Sequence, residues 1–413
     1  MNSYRYIFSA LSFLLLASAC TKVTDSPLRT SYQVSNPAGN IIQALDSSAC
    51  HLFDSAFHRA GMASVLQANY GYTIFAPSDS AMTAAGLTAQ VIGGLSPDSL
   101  AKIVRFHITS GTYSDTTLTA AQVSIQAATL RQDIATDTVK GDIVFQQNLY
   151  LKEVNYDVLY INGDPAASGA HPVSTFNGYL FTIGRVLQAP TKTLWQTIAS
   201  DPRLDLYCAA LRIGDSLILA YMYANDPYPQ QPFGCDSCTF SVINYANQEY
   251  SYPNMSTVFA PTDSAFYEAG FHTVEDIRAY ALRSPIVNLG ISANYQYYIM
   301  GDEPMDSILY AHVINNPNNS DPNGYLVLYN DLLYSPQLNH GLASSNNYQY
   351  FARWFGPSYY QQYPLTFSVQ GGVPYVQWNP TGPSVPVPAD PSGHFLTTNG
   401  SIYLVNHLFT TPN

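Results

Sequence analysis

The sequence predicts an α+β protein made of two copies of one domain in tandem, the second copy enlarged by insertions. Three observations carry that prediction. A ten-residue phrase occurs twice, as TIFAPSDSAM from Thr73 to Met82 and as TVFAPTDSAF from Thr257 to Phe266. Around it, three further segments repeat in the same order. IIQAL from Ile41, with Arg59 and Gly61, parallels LWQTI from Leu194, with Arg212 and Gly214; KIVRFH from Lys102 to His107 parallels SILYAH from Ser307 to His312; NGYLF from Asn177 parallels NGSIY from Asn399. Finally, the separation between partners rises steadily along the chain, through 153, 184, 205 and 222 positions. The copies therefore keep one order while the second gains insertions of about 31, 21 and 17 residues.

The bulk composition fits two such domains. A chain of 413 residues with 46% hydrophobic side chains can build real cores. Charged residues make up only 11%, against 33 Tyr and 27 Pro, a mix that suits an extracellular, loop-rich binding protein better than a cytosolic enzyme. The net charge of −12 excludes nucleic acid as a partner class, because binding phosphates needs a basic face.

The elements follow in chain order. Residues 1–19 read as a signal peptide: Arg5 gives the positive start, and the apolar run from Ile7 to Ala19 is too short to span a bilayer. It ends in Ala17-Ser18-Ala19 directly before Cys20, which resembles a bacterial lipobox and makes Cys20 the expected lipidation site. The alternative is a plain secretory signal whose cleavage site adjoins a cysteine. Residues 20–39 are polar, contain Pro27 and Pro37, and read as a tether with a reach on the order of 25 Å. The two domains then occupy residues 40–190 and 191–413. Each opens with an amphipathic helical pattern, Ile41 to Arg59 and Leu194 to Arg212.

Within the phrase, Thr257-Val258-Phe259 suits a short buried strand, and Pro261 ends it. Thr262 is a candidate helix N-cap, with Asp263 at the positive end of the helix dipole and Ala265 and Phe266 starting its buried face. Ser78 and Asp79 repeat this arrangement, so the phrase reads as a strand-to-helix junction with no nucleophile beside a base. Asn177-Gly178 and Asn399-Gly400 read as turns into strands from Tyr179 to Val186 and Ser401 to Leu408.

On these residues the chain resembles a tandem pair of fasciclin-type domains. Thr257–Phe266 and Thr73–Met82 match that family's first box. Phe106-His107-Ile108 and Ala311-His312-Val313 match the end of its second box, which usually carries tyrosine before the histidine, and the Asn-Gly strand follows in both copies. The resemblance implies a wedge of β-sheet packed with helices that serves adhesion or protein contact without catalysis or cofactors, and it implies structural hydrogen bonds for His107 and His312.

No Gly-x-Ser-x-Gly, His-Glu-x-x-His, P-loop or Rossmann pattern is present. His51 and His58 lie seven apart, and no local carboxylate pattern makes them metal ligands, so no metal site is expected. Glu275-Asp276 reads as a solvated surface pair. Cys235-Asp236-Ser237-Cys238 lies in a Pro- and Gly-containing insertion of an exported chain, which favours a Cys235–Cys238 disulfide. A bridge from Cys208 to either cysteine, or a redox or metal role, is the alternative. Cys50 is expected to be a buried free thiol.

Aromatics concentrate in the second copy: 21 of the 33 Tyr lie between Tyr221 and Tyr375. Trp354, Tyr359, Tyr360 and Trp378 are the candidate ligand-binding residues, because Tyr and Trp offer rigid, half-polar contact surface. Packing beneath the long insertions is the competing explanation. The expected function is a lipid-anchored outer-membrane surface protein that binds a protein partner; the alternative is capture of a polysaccharide.

Overall fold

The computed structural model describes residues 39–67, 69–137, 141–169, 171–225, 255–283, 287–288, 301–302, 304–315, 326–335, 365–378, 382–388 and 394–409. The first copy runs through α1 (Ile41–Asp46), α2 (His51–Arg59), β1 (Tyr72–Pro77), α3 (Asp79–Ala84), α4 (Ala89–Gly94), α5 (Pro97–Phe106), β2 (Ile108–Ser110) and α6 (Asp115–Ala120). It continues with β3 (Ile125–Asp137), β4 (Gly141–Val154), β5 (Val158–Ile161), β6 (Asp164–Ser168), β7 (Val173–Thr175) and β8 (Gly178–Ile183). Its sheet has the order β6-β5-β4-β3-β2-β1-β8-β7, with β1 antiparallel to β2 and parallel to β8.

The second copy runs through α7 (Leu194–Ser200), α8 (Asp205–Asn225), β9 (Ser256–Pro261), α9 (Asp263–Glu268), α10 (Val274–Ala281), β10 (Val287–Asn288), β11 (Gly301–Asp302), α11 (Asp306–Leu309), β12 (Val313–Asn315) and α12 (Tyr329–Tyr334). It closes with β13 (Leu365–Gln370), β14 (Val373–Trp378), β15 (Ser384–Pro386), β16 (His394–Thr397) and β17 (Gly400–Val405). The sheet β12-β9-β17-β16 repeats β2-β1-β8-β7 strand for strand, with β9 antiparallel to β12 and parallel to β17. The strands β13-β14-β15 form a separate antiparallel sheet.

Three side chains of the repeated phrase hold the same part of this fold in both copies. Phe75 stacks on Phe181 of the parallel neighbour at 5.4 Å, and Phe259 stacks on Tyr403 at 5.5 Å. All four rings are buried, and each such pair adds about 1 kcal/mol beyond its area burial. The Thr73 hydroxyl accepts the backbone N–H of Tyr113, and Thr257 accepts that of Val327. Asp79 accepts the N–H of Leu52 at 2.8 Å, and Asp263 accepts that of Leu206, also at 2.8 Å. The acidic residue therefore fastens the start of the preceding long helix, a role beyond its favourable place in the dipole of its own short one. Asn177 and Asn399 do the same for the first helices, accepting from Ile41 and Leu194.

Several local expectations change. The single helical patterns each split in two, at residues 47–50 and 201–204. Ser78 caps α3 through the N–H of Ala81, but Thr262 makes no such cap; its hydroxyl donates to Asn406 instead. Asp276 is more than a solvated acid, since it accepts from the backbone of His272 and Thr273 and closes a capping box on α10. Gly178 pairs with Thr175 and so begins β8, leaving Phe176 and Asn177 as the loop. The glycine is required there by the approach of β1: with φ at 153°, a Cβ would lie 1.7 Å from the Tyr72 carbonyl oxygen.

Cys50 and Cys208 are buried and make no disulfide among the described residues, and Cys235 and Cys238, the expected partners of a bridge, lie outside them. No helix among the described residues is long and apolar enough to cross a membrane.

Candidate functional site

The two copies meet in one compact unit, Ala38–Asn413. Their junction combines apolar contact with buried polar bonds. Tyr150 of β4 packs with Met255, Leu326 and Leu328 of the second copy. The hairpin turn Asn162-Gly163 between β5 and β6, with both residues at positive φ, brings Gly163 against Leu328 and the Tyr329 backbone. Beside it, Asp331 on α12 is almost wholly buried and accepts from the Ser124 N–H at 2.9 Å, the Ser124 hydroxyl at 3.0 Å and the Ser335 hydroxyl at 3.2 Å. Burial pushes its carboxyl up in pKa, opposed by the Ser124 bonds and by the charge of Lys152. Lys152 donates to the carbonyls of Ala121 and Gln122, holding the strand entry that carries Ser124.

A second polar contact crosses the junction at Asp164 of β6. Burial alone would raise its pKa, but the hydrogen bond from His394 on β16 at 3.0 Å and the charge of Arg185 outweigh it and hold the carboxyl low. His394 in turn stacks on Tyr329 at 5.4 Å.

Next to this junction lies an open cleft of about 600 Å³, with Pro190, Lys192, Ser200, Arg203, Phe395 and Leu396 in its wall. Arg203 is engaged by Asp201, and Lys192 donates to the Ser200 hydroxyl at 3.1 Å. Cavities of this size at domain junctions are the usual place for a small ligand.

The box histidines are fully buried in the fold. His107 Nδ1 bonds to the Ile103 carbonyl and its Nε2 accepts from the Leu187 N–H; His312 Nδ1 bonds to the Phe259 carbonyl and its Nε2 accepts from the Phe409 N–H. An acceptor Nε2 fixes the neutral tautomer. Burial drives His107 to a pKa of about 4 and His312 to about 3, against an ordinary value of 6.5. A folded value below the unfolded one means that the unfolded chain binds more protons, so this stability is complete above pH 6.5 and is lost as pH falls toward the folded values. At pH 5 the two groups together cost roughly 4 kcal/mol relative to pH 7. The urea midpoint should therefore drop steeply between pH 6.5 and 5, above the range where carboxylates titrate; a flat profile there contradicts the burial of neutral imidazoles.

Of the expected site residues, Cys20, Cys235, Cys238, Trp354, Tyr359 and Tyr360 lie outside the described residues. Trp378 ends β14, partly buried against the cluster around Phe259, Tyr403 and Phe409. His51 does not join His58. Instead His58 Nε2 lies 2.8 Å from Asp46 and 3.3 Å from Asp54, a grouping that the sequence concealed because Asp46 comes from a different helix. At one end of the first sheet, large apolar side chains face solvent: Phe176 is 77% exposed in the β7–β8 loop, and Tyr70, 57% exposed, precedes β1, which pairs with β8. Phe176 itself gave no signal apart from the adjoining Asn-Gly.

Residues 48–189 match the family model described as Fasciclin domain. Fasciclin domains are in general non-catalytic adhesion and interaction modules. No curated protein matches the chain by sequence. Among solved structures, the fasciclin domain pair of the insect cell adhesion molecule Fasciclin I is similar, at 14% identity and a TM-score of 0.33, over 88% of this chain and 98% of that one. The second copy repeats the first in strand order, in its phrase contacts and in its buried histidine, so the fold is an α+β pair of fasciclin-like domains.

Proposed function

We propose that this chain is a non-catalytic adhesion module that binds a protein partner at the cell surface, held at the outer membrane by lipid on Cys20. The observation that carries the protein-contact reading is the exposed aromatic end of the first sheet, where Phe176 follows the edge strand β7 with its exposed Val173 and Tyr70 precedes β1, two strands in. Exposed aromatic groups beside an unpaired strand edge are what a protein partner uses for anchoring and for added main-chain bonds. The buried state of His107 and His312 supports the same reading, since both imidazoles are spent on backbone bonds.

Polysaccharide capture is the second reading, and the junction cleft favours it. Phe395 offers a stacking face there, and Lys192 offers a donor. Trp354, Tyr359, Tyr360 and Trp378 remain the proposed ligand-contact group of the second copy in either reading.

Binding of purified protein to cell-surface extracts and to a saccharide array separates the two. Tyr70→Ser with Phe176→Ser should abolish binding to the protein fraction at unchanged melting, whereas Lys192→Ala with Phe395→Ala should leave it intact. The reverse pattern on saccharides sinks the protein reading. For the anchor, Cys20→Ala should move the protein from the detergent phase to the aqueous phase; wild type that is already aqueous overturns lipidation.

A further inference from the structure

Asp46 ends α1, while Asp54 and His58 sit one turn apart on α2, so two helices aim three side chains at one point. His58 Nε2 lies 2.8 Å from Asp46 Oδ1 and 3.3 Å from Asp54 Oδ1, and one ligand atom from each residue falls within 4.8 Å of the others. Ligand atoms gathered around one cation at bond lengths of about 2.1 Å stand roughly 3 to 3.5 Å apart. The two nitrogen–oxygen separations are close to that spacing, and the three atoms lie near enough together for one cation to draw them in.

A second observation concerns Asp54. Its carboxyl is 26% exposed as a whole, yet its Oδ1 atom is sealed from solvent and receives no aligned hydrogen bond. A sealed carboxylate oxygen whose nearest partner is a misaligned imidazole nitrogen at 3.3 Å is poorly satisfied, and a cation between the two would meet both.

The fold itself does not ask for this grouping. The matched helix-start bonds, Ile41 to Asn177 with Leu194 to Asn399, and Leu52 to Asp79 with Leu206 to Asp263, set the register between copies. In that register, which shifts by one residue between the two helices and so sets His58 rather than Arg59 against Arg212, Asp46, Asp54 and His58 correspond to Ala199, Cys208 and Arg212. The same two-helix corner is built without any of the three.

We propose that Asp46, Asp54 and His58 form a divalent-cation site of the Zn²⁺ type, with the remaining coordination positions open to water. One imidazole nitrogen with two carboxylate oxygens suits a borderline cation, whereas Ca²⁺ takes six to eight oxygens that this corner does not supply. The site is separate from the junction cleft and from the aromatic end.

Equilibrium dialysis of the full chain against Zn²⁺, read beside the melting temperature, tests this. Wild type should retain one more Zn²⁺ per chain than Asp46→Asn with His58→Gln, and its melting should rise with Zn²⁺ where that of the variant does not. The metal-free variant should melt like wild type, because all three residues reach the surface; Asp54→Asn gives an independent variant, expected to weaken binding about tenfold or more. Cys235→Ser with Cys238→Ser should keep the extra ion. Equal Zn²⁺ retention in wild type and the His58 variant, loss only in the cysteine variant, or Ca²⁺ binding as tight as Zn²⁺ would each overturn the assignment.

Discussion

Gly178→Ala should leave the protein unable to fold, or destabilise it by at least about 4 kcal/mol, far more than the usual substitution. The added Cβ would meet the Tyr72 carbonyl oxygen at 1.7 Å and its carbon at 2.8 Å, and both are backbone atoms of the central strand β1. That carbonyl cannot move aside without breaking the parallel register of Tyr72 with Gly178 and the bond from the Tyr72 N–H to the Asn177 carbonyl. The positive φ adds strain of its own for any side chain. Gly400 should behave alike in the second copy, where the Cβ would lie 2.1 Å from the Ser256 carbonyl oxygen and 2.8 Å from Leu194. Gly93→Ala is the control, since nothing lies within 4 Å of its Cβ position on α4. Equal urea midpoints for Gly178→Ala and Gly93→Ala would refute the close approach.

Asp331→Ala should cost about 3 kcal/mol or more, because it strands several groups at once. The Ser124 N–H and hydroxyl, the Ser335 hydroxyl and the charge of Lys152 all lose their common partner inside the junction. Asp331→Asn keeps the shape and one acceptor and should cost less. Hydrogen exchange gives the local readout: the Ser124 amide, protected in wild type, should exchange much faster in the Asp331→Ala protein. Unchanged protection at Ser124 would mean that this bond does not hold the copies together.

These two sites differ in how far the sequence announced them. Gly178 and Gly400 stood out through the repeated Asn-Gly, although the reason for the glycine turned out to be the neighbouring strand rather than the loop. The repeated phrase was legible for the same cause: its apolar residues, proline and small polar residues encode a strand, a stop and a helix start within ten positions. What the phrase's acid does was not legible, since Asp79 reaches Leu52 across 27 positions and nothing local marks that partner. The junction was hidden more deeply. Asp331 lies 207 positions from Ser124, and in sequence it looks like any acid at a helix start. His58 with Asp46 and Asp54 was missed because helix spacing pairs Asp54 with His58 but cannot say that a preceding helix turns back to add Asp46. Likewise, one amphipathic pattern from Ile41 to Arg59 does not reveal a break, because both pieces bury apolar faces at compatible spacing.

That the two copies form one folded body is tested most directly by differential scanning calorimetry of the wild-type chain at pH 7. The shared apolar contacts of Tyr150 with Leu328, the buried Asp331 bonds and the Asp164–His394 bond predict a single cooperative transition whose calorimetric and van't Hoff enthalpies agree. In Asp331→Ala the same transition should broaden or split. Two resolved transitions in wild type, each removed by the glycine substitution in its own copy, would show that the copies unfold independently and would contradict a fused pair.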